Sequence, residues 1–555
     1  MKQHSIKLWT DGDKQAEEIG CREEESLLEA MIRQGIRCHS DCGGRGTCGK
    51  CKVQVIGSET EITLQDKKMF TAGELQQGFR LSCMAHPGND CEIKLGSVDD
   101  RDFYVVTDII IGQSENRSDL ILGIDLGTTT LAISLVNAGT GKVLHSYSAV
   151  NGQRVYGSDV ISRIRASNEG KEELLAAVIR MNLKEGILSL IHESEIDINR
   201  ITAISVSGNT TMGHLLMGYS CETLGIYPFI PVNLERTEVN FKELFLTEEP
   251  DHLSEGTKTT DMTKRDHDLL SDIEWKVLEK LPVILLPGIS AFVGADIAAG
   301  LLTCGFAGTD KFCMLIDLGT NGEMAIGNRE RILVTSTAAG PAFEGVNISC
   351  GIGSVPGAIS HVWIRGGQVD YRTIGDKPAI GICGTGVIEL ASELLDSGFM
   401  DTTGLLEEKY FESGFVISEG EDQGGTGSVR KIVFTQRDIR ELQLAKAAVR
   451  AGIEILIKNY GVSNEEIDTI FLAGGFGFQL DVAKAVNIGL FPEELKNKVR
   501  IAGNASLAGA IEYLTNKDAI QRVEDIRSVA REIHLSNEED FNGLYLKYMS
   551  FSNEG

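Results

Sequence analysis

The chain has 555 residues, 42% of them hydrophobic and 24% charged, too many for one ordinary core, and reads as about two to four globular domains. A formal net charge of −27 repels nucleic-acid phosphate and anionic membrane surfaces, so neither is an expected partner. Residues 1–20 lack the apolar core of a secretory signal, and the most apolar stretch, Leu281 to Leu302, is broken by Pro282, Pro287 and Asp296, so a cytoplasmic chain without a membrane span is expected.

Twelve cysteines in such a chain argue against a disulfide scaffold, and seven of them fall in the first hundred residues. Ser26-Leu-Leu-Glu29 has the form of a capping box, opening a short amphipathic helix through Leu28, Met31 and Ile32 that ends near Gly35. The segment Cys42-Gly-Gly-Arg-Gly-Thr-Cys48-Gly-Lys-Cys51 follows at once, and Cys83 lies far downstream. Three thiolates on one loop and a fourth at a distance suit a [2Fe–2S] cluster, so Cys42, Cys48, Cys51 and Cys83 are the expected ligands. The first gap is one residue longer than in the plant-type spacing, and in this it resembles the vertebrate-type and bacterial hydroxylase ferredoxins. Glycines at 43, 44, 46 and 49 give the loop unusual φ values and bring backbone N–H groups toward sulfur. Strand-like Lys52–Ile56 and Glu92–Leu95 complete a β-grasp pattern over residues 1–100. A zinc site from Cys48-x2-Cys51 and Cys83-x2-His86 leaves Cys42 and the glycines without a purpose. Cys38 and His39 are adjacent and do not fit a Rieske centre, and Cys21, Cys38 and Cys91 read as buried or spare thiols.

Residues 101–119, ending in the polar run Gly112 to Asp119, read as a linker. Beyond them an apolar strand enters Asp125-Leu-Gly127-Thr128-Thr129-Thr130 and a second strand leaves it. The pattern returns at Cys313-Met-Leu-Ile-Asp317-Leu-Gly319-Thr320-Asn321-Gly-Glu323. Two copies of strand–DLGT–strand suggest a duplicated unit over residues 120–555, with halves of approximately 120–310 and 311–555, each offering one hairpin to a shared cleft. In such a hairpin glycine lets the backbone approach phosphate, threonine hydroxyls and N–H groups hold its oxygens, and the aspartate holds Mg²⁺ directly or through water. A long amphipathic helix from Asp438 to Tyr460 precedes a buried strand that ends in Gly474-Gly475-Phe-Gly477. Gly381-Ile-Cys-Gly384-Thr-Gly386 is a further glycine turn, which either faces the cleft or simply packs tightly. Glu344 could contact nucleotide or metal, or serve structure alone. His214 and His361 read as structural.

This combination resembles the superfamily of actin, sugar kinases, acetate kinase and the heat-shock chaperone ATPases. The likeness implies a ribonuclease H-like fold in which both hairpins grip phosphates and Gly474 and Gly475 pack on adenosine. The connecting helices look like Ser207–Met212 and Gly503–Gly509. The order of modules is in turn similar to the ATP-dependent reductive activators of corrinoid proteins. Asn151-Gly-Gln-Arg-Val-Tyr-Gly157-Ser-Asp-Val160, Ile316–Glu323, Ala338-Ala-Gly-Pro-Ala-Phe-Glu-Gly345 and Phe471–Gly477 carry that resemblance. It implies an α+β and α/β multidomain enzyme that reduces cob(II)alamin to cob(I)alamin in an anaerobic methyl-transfer system. Its cofactors would be a [2Fe–2S] cluster and ATP with Mg²⁺, its partners a corrinoid protein and a low-potential electron donor, and a homodimer stays open. Asp125 and Asp317 would serve magnesium and the attacking water; Gly127, Thr128, Thr129, Gly319, Thr320 and Asn321 would hold phosphate. Some relatives carry a further domain where this chain has only its linker, and no cysteine follows Cys383 to bind a [4Fe–4S] centre. A redox-regulated small-molecule kinase and a non-catalytic iron–sulfur nucleotide switch are the alternatives.

Overall fold

The computed structural model describes residues 3–9, 16–34, 36, 44, 46, 51–57, 60–95, 119–246, 270–345, 347–419, 431–474 and 480–552. Cys42, Cys48, Gly475 and nearly all of the linker lie outside the described residues.

The first module is a five-stranded mixed sheet built from β1 (Gln3–Trp9), β2 (Glu17–Arg22), β3 (Lys52–Ile56), β4 (Phe79–Leu81) and β5 (Cys91–Leu95). Its strand order is β2-β1-β5-β3-β4, with β1 parallel to β5 and antiparallel to β2. Alternation sends Ile6 and Leu8 of β1 and Val53 and Val55 of β3 to one face. The helix Leu27–Arg33 lays Leu27, Ala30 and Met31 on that face. It starts at the expected capping box: Ser26 accepts from the Glu29 backbone N–H, and Glu29 accepts from the Ser26 backbone N–H. This is the expected β-grasp arrangement.

The remainder carries one strand plan twice. In the first copy β6 (Leu120–Leu126), β7 (Thr130–Asn137) and β8 (Val143–Val150) form an antiparallel meander. On its other edge β6 takes β9 (Ile201–Gly208) in parallel, then come β10 (Thr237–Asn240) and β11 (Pro282–Leu285), giving the order β10-β11-β9-β6-β7-β8. In the second copy β12 (Phe312–Leu318), β13 (Gly322–Gly327) and β14 (Ile332–Thr337) repeat the meander. Between the meander and its parallel partners the chain makes two small sheets, β15 (Ala358–Arg365) with β16 (Gln368–Thr373) and β17 (Gly381–Ile382), and β18 (Phe415–Glu419) with β19 (Lys431–Phe434). The main sheet then resumes with β20 (Ile467–Ala473), β21 (Val499–Gly503) and β22 (Ala530–Glu532), in the order β21-β20-β12-β13-β14-β22. β6 and β12 are covered on both faces and are therefore apolar almost throughout, apart from the aspartate near each C-terminal end.

Each copy sends a helix across to the other. The helix Ala295–Thr303, which follows β11, faces the second sheet, where a Cβ on Gly300 would lie 2.9 Å from Leu315. The helix Ala505–Thr515, which follows β21, faces the first, where a Cβ on Gly123 would lie 2.4 Å from Ile511. The two cross at Gly509, where a Cβ would stand 2.1 Å from the Ala299 carbonyl oxygen, so only glycine permits this approach. Gly503–Gly509 thus opens a connecting helix as expected, but Ser207–Met212 does not. Ser207 and Gly208 end β9, and the helix Thr210–Met217 packs against the helix Glu172–Ser194 within the first copy. The crossing element is instead Ala295–Thr303, whose small residues allow close packing.

The long helix expected from Asp438 runs from Gln436 to Tyr460, capped by Thr435 at one end and by Gly461 at φ 86° at the other. Among the described residues no helix is long and apolar enough to cross a membrane.

Candidate nucleotide cleft and cluster site

The two DLGT turns face each other. Thr129 Oγ1 and Thr320 Oγ1 are 2.9 Å apart although 191 positions separate them in sequence. Gly127 is required in its turn, because a Cβ there would stand 2.4 Å from the Thr130 carbonyl oxygen. In the second turn the Gly319 N–H donates to the Asn321 carbonyl at 3.0 Å. Threonine hydroxyls therefore converge from both copies, and hydroxyl donors on glycine turns are what a phosphate group needs.

The first turn is braced from behind by Asn151–Gly157. Asn151 Nδ2 donates to the Gly127 carbonyl at 2.9 Å, and its backbone N–H donates to the Thr129 carbonyl at 2.8 Å. The buried Arg163 guanidinium donates to the carbonyls of Thr128 and Gly157 and to Gln153 Oε1. Asn209 Nδ2 donates to Thr128 Oγ1 at 2.8 Å, leaving the Thr128 hydroxyl proton to donate elsewhere.

Five carboxylates gather below the turns: Asp125, Asp296, Asp317, Glu323 and Glu344. Asp125 Oδ2 accepts from Asn504 Nδ2 at 2.8 Å and Oδ1 from the Ser506 hydroxyl at 2.7 Å, both at the start of the crossing helix Ala505–Thr515. Burial raises the pKa of Asp125 while these two hydrogen bonds oppose it. Asp317 is pushed up to about 8, by burial first and then by the charges of Asp296, Asp125 and Glu344. Asp296 is pushed up to about 7, again by burial, with Asp125 adding to it. Glu323 pairs with Asp317 across the β12–β13 ladder and is raised well above its ordinary value by burial and by Asp296 and Asp317. Charges of one sign collected out of water favour protons, or a ligand that brings a cation.

Among the described residues no three His, Cys, Asp or Glu side chains are placed to hold a metal ion on their own.

The structure brings together the two turns that carry Asp125, Gly127, Thr128 and Thr129 and Asp317, Gly319, Thr320 and Asn321. Gly474, at φ +111°, sits against the second turn, where a Cβ would stand 2.5 Å from the Leu318 carbonyl oxygen and 3.1 Å from Asp317 Oδ1. Gly384 packs closely on the segment that carries Glu344: its Cβ would lie 1.7 Å from the Phe343 carbonyl oxygen. His214 is structural, with Nδ1 2.8 Å from the Thr210 carbonyl and Nε2 accepting from the Val232 N–H. His361 also has a partner, Glu389 at 2.8 Å, a buried carboxylate shared with Lys484. Asn209, Asn504, Ser506 and Asp296 were missed. The signal for Asp296 was present, as an aspartate inside the apolar run Leu281–Leu302.

In the first module Cys51 and Cys83 bring their sulfurs to 3.3 Å, buried beside Leu28, Phe70 and Leu81. Two of the four expected ligands are thus close enough to share one iron. Cys21 and Cys91 are buried elsewhere in the sheet with pKa values pushed up to about 12 and about 11 by burial, so they are poor thiolate donors.

Comparison with known proteins agrees with this division. Residues 11–88 match the 2Fe-2S iron-sulfur cluster binding domain, residues 120–253 the RACo middle region, and residues 311–555 the C-terminal, ASKHA domain of RACo. The corrinoid activation enzyme RamQ of Eubacterium limosum is 30% identical over 468 residues, covering 80% of this chain and 72% of the relative. The [Co(II) methylated amine-specific corrinoid protein] reductase of Methanosarcina barkeri is 26% identical over 462 residues, covering 78% and 77%. Among solved structures, the reductive activator for corrinoid, iron-sulfur protein superposes with a TM-score of 0.66 at 27% identity, covering 99% of this chain and 98% of the other.

Proposed function

The chain belongs to the reductive activators of corrinoid proteins, and from that premise we propose that it reduces a Co(II) corrinoid protein to Co(I) in a step driven by ATP. The meeting of Thr129 and Thr320 at 2.9 Å, in a chain that also pairs the sulfurs of Cys51 and Cys83, is the observation that carries this reading.

The Thr128, Thr129 and Thr320 hydroxyls, with the turn backbone at Gly127, Gly319 and Asn321, would hold the phosphates. Thr128 is ready for this, because Asn209 already supplies its hydroxyl with a donor. Asp125 and Asp317 would meet Mg²⁺ and orient the attacking water; the cation would also favour the ionised form that burial opposes. Gly474 and Gly475 would pack on adenosine, the first being bare of side chain beside Asp317. Gly384 would act by setting the backbone at Phe343, next to Glu344. A [2Fe–2S] cluster held by Cys42, Cys48, Cys51 and Cys83 would supply a one-electron store. The electron would come from an external low-potential donor, and the corrinoid protein would dock on the ATPase portion. A cytoplasmic location goes with this reading, as does the presence of Cys21, Cys91, Cys313 and Cys383 as free thiols.

The test is optical conversion of Co(II) to Co(I) on a purified corrinoid protein, with a low-potential reductant and the full-length holoprotein. Conversion should require ATP and should be lost in Asp317→Ala. Equal conversion without ATP, or with that variant, would defeat the proposal.

A further inference from the structure

Three oxygen atoms meet where the two turns face each other. Besides the Thr129–Thr320 contact, Glu344 Oε2 lies 2.7 Å from Thr129 Oγ1 and 3.0 Å from Thr320 Oγ1. The other carboxylate oxygen is directed along the second turn, 3.6 Å from where a Gly319 Cβ would be. Glu344 belongs to neither hairpin. It arrives on the segment 338–345, and its backbone is fixed on both sides. Phe343 is buried with its carbonyl against Gly384, while Gly345 sits at φ +75° against Ile352 with no room for a Cβ. Glu344 itself is half-buried.

Each threonine hydroxyl has one proton to give. A hydroxyl that donates to Glu344 cannot at that moment donate to a phosphate oxygen. A carboxylate at hydrogen-bond distance from both hydroxyls also repels any anion that approaches them, and does so strongly where water is excluded. Burial raises the pKa of Glu344, while the Thr129 and Thr320 hydrogen bonds, and then the charges of Arg154 and Arg163, favour its ionised form.

We propose that Glu344 is an internal competitor of the nucleotide polyphosphate: its carboxylate holds the Thr129 and Thr320 hydroxyls together, and phosphate enters by displacing it. This rests on the reading of the two turns as a phosphate clamp. With its backbone anchored at Phe343 and Gly345, Glu344 leaves by rotating its side chain, and the two hydroxyls pass to phosphate oxygens. No bond is made or broken. The residue acts as a positioning group that sets the separation of the turns and the affinity for phosphate.

The experiment is calorimetric titration of the full-length holoprotein with ATP and with adenosine, in EDTA and in Mg²⁺. Glu344→Gln keeps the shape and removes the charge, and should bind ATP at least about tenfold more tightly than wild type in EDTA, with adenosine binding unchanged. Glu344→Asp keeps the charge but is a methylene too short to bridge both hydroxyls; it should shift ATP affinity in the same direction by a smaller factor. If wild type binds ATP and both variants bind it equally or more weakly, the competitor role is wrong while the clamp stands. If wild type and both variants all bind adenosine and ATP with the same affinity, in EDTA and in Mg²⁺ alike, the clamp itself is wrong, and the competitor role with it.

Discussion

Replacing Asp317 by asparagine tests whether the carboxylates of the cleft are as crowded as their positions imply. The folded-state pKa of about 8 lies far above the ordinary 3.8 because burial and three neighbouring charges all oppose ionisation. A group that holds its proton more tightly when folded stabilises the fold fully below its ordinary pKa. That contribution is lost progressively as pH rises toward the folded value. At about 1.4 kcal/mol per pH unit, Asp317 alone removes on the order of 4 kcal/mol between pH 5 and pH 8. Asparagine has nearly the same shape and no charge to lose.

Thermal unfolding of wild type and Asp317→Asn at pH 5, 6, 7 and 8, without nucleotide, reads this directly. The variant should gain on wild type as pH rises, by about 3–5 °C between the two extremes for an unfolding unit the size of the ATPase portion. His214, whose pKa burial lowers, acts with the opposite sign below its ordinary 6.5, but it is present in both proteins and cancels in the difference. A difference in midpoint that stays constant from pH 5 to pH 8, or one that turns against the variant, would refute the reasoning. In that case Asp317 is ionised in a solvated or compensated site.

Gly509→Ala should destabilise the ATPase portion by about 1–3 kcal/mol in denaturant titration, although helix propensity alone would stabilise it by about 1 kcal/mol; a gain in stability would mean the helices do not cross there. Cys51→Ser and Cys83→Ser should each abolish the visible absorption and electron-spin signal of a [2Fe–2S] cluster, whereas Cys21→Ser and Cys91→Ser should leave both intact. Glu389→Ala should cost about 1–3 kcal/mol of stability, since it takes the acceptor from the buried Val362 N–H while Lys484 keeps Glu393 and the Val362 carbonyl, and Glu389→Gln should recover part of that loss.

What could be read from the sequence follows from how local each signal is. The capping box at Ser26, the strands around each DLGT turn and the helix ending at Gly461 are set by neighbours a few residues apart, and they appear where expected. Asp125 and Asp317 stood out because the same turn occurs twice, and repetition is visible without a structure. Asn504 and Ser506 did not, because their role exists only through packing of a late helix on an early strand. They are 379 and 381 positions from the aspartate they hold. The first connecting helix was misplaced for a related reason. Ser207-Gly-Asn-Thr-Thr has the polar and small residues of a cleft-facing turn, but what places a helix at the crossing is room for another backbone. That depends on Gly509 meeting Ala299.

The crossing also bears on how a ligand between the turns can act on the whole ATPase portion. The Ser207 hydroxyl contacts Ser506 Oγ at 2.8 Å, and Ser506 donates to Asp125, so the end of the first central strand is tied to a helix of the second copy. Ser205 donates to the Ala510 carbonyl at 2.7 Å one turn further along that helix. Movement of either copy is therefore felt at Asp125, one residue from the first turn. A ligand shifts such an equilibrium only by the difference in its affinity for the two arrangements. One that touched a single turn would travel with it and have no such difference. A polyphosphate shared by Thr129 and Thr320 is sensitive to the distance between them, and the bridging carboxylate of Glu344 sets that distance against it.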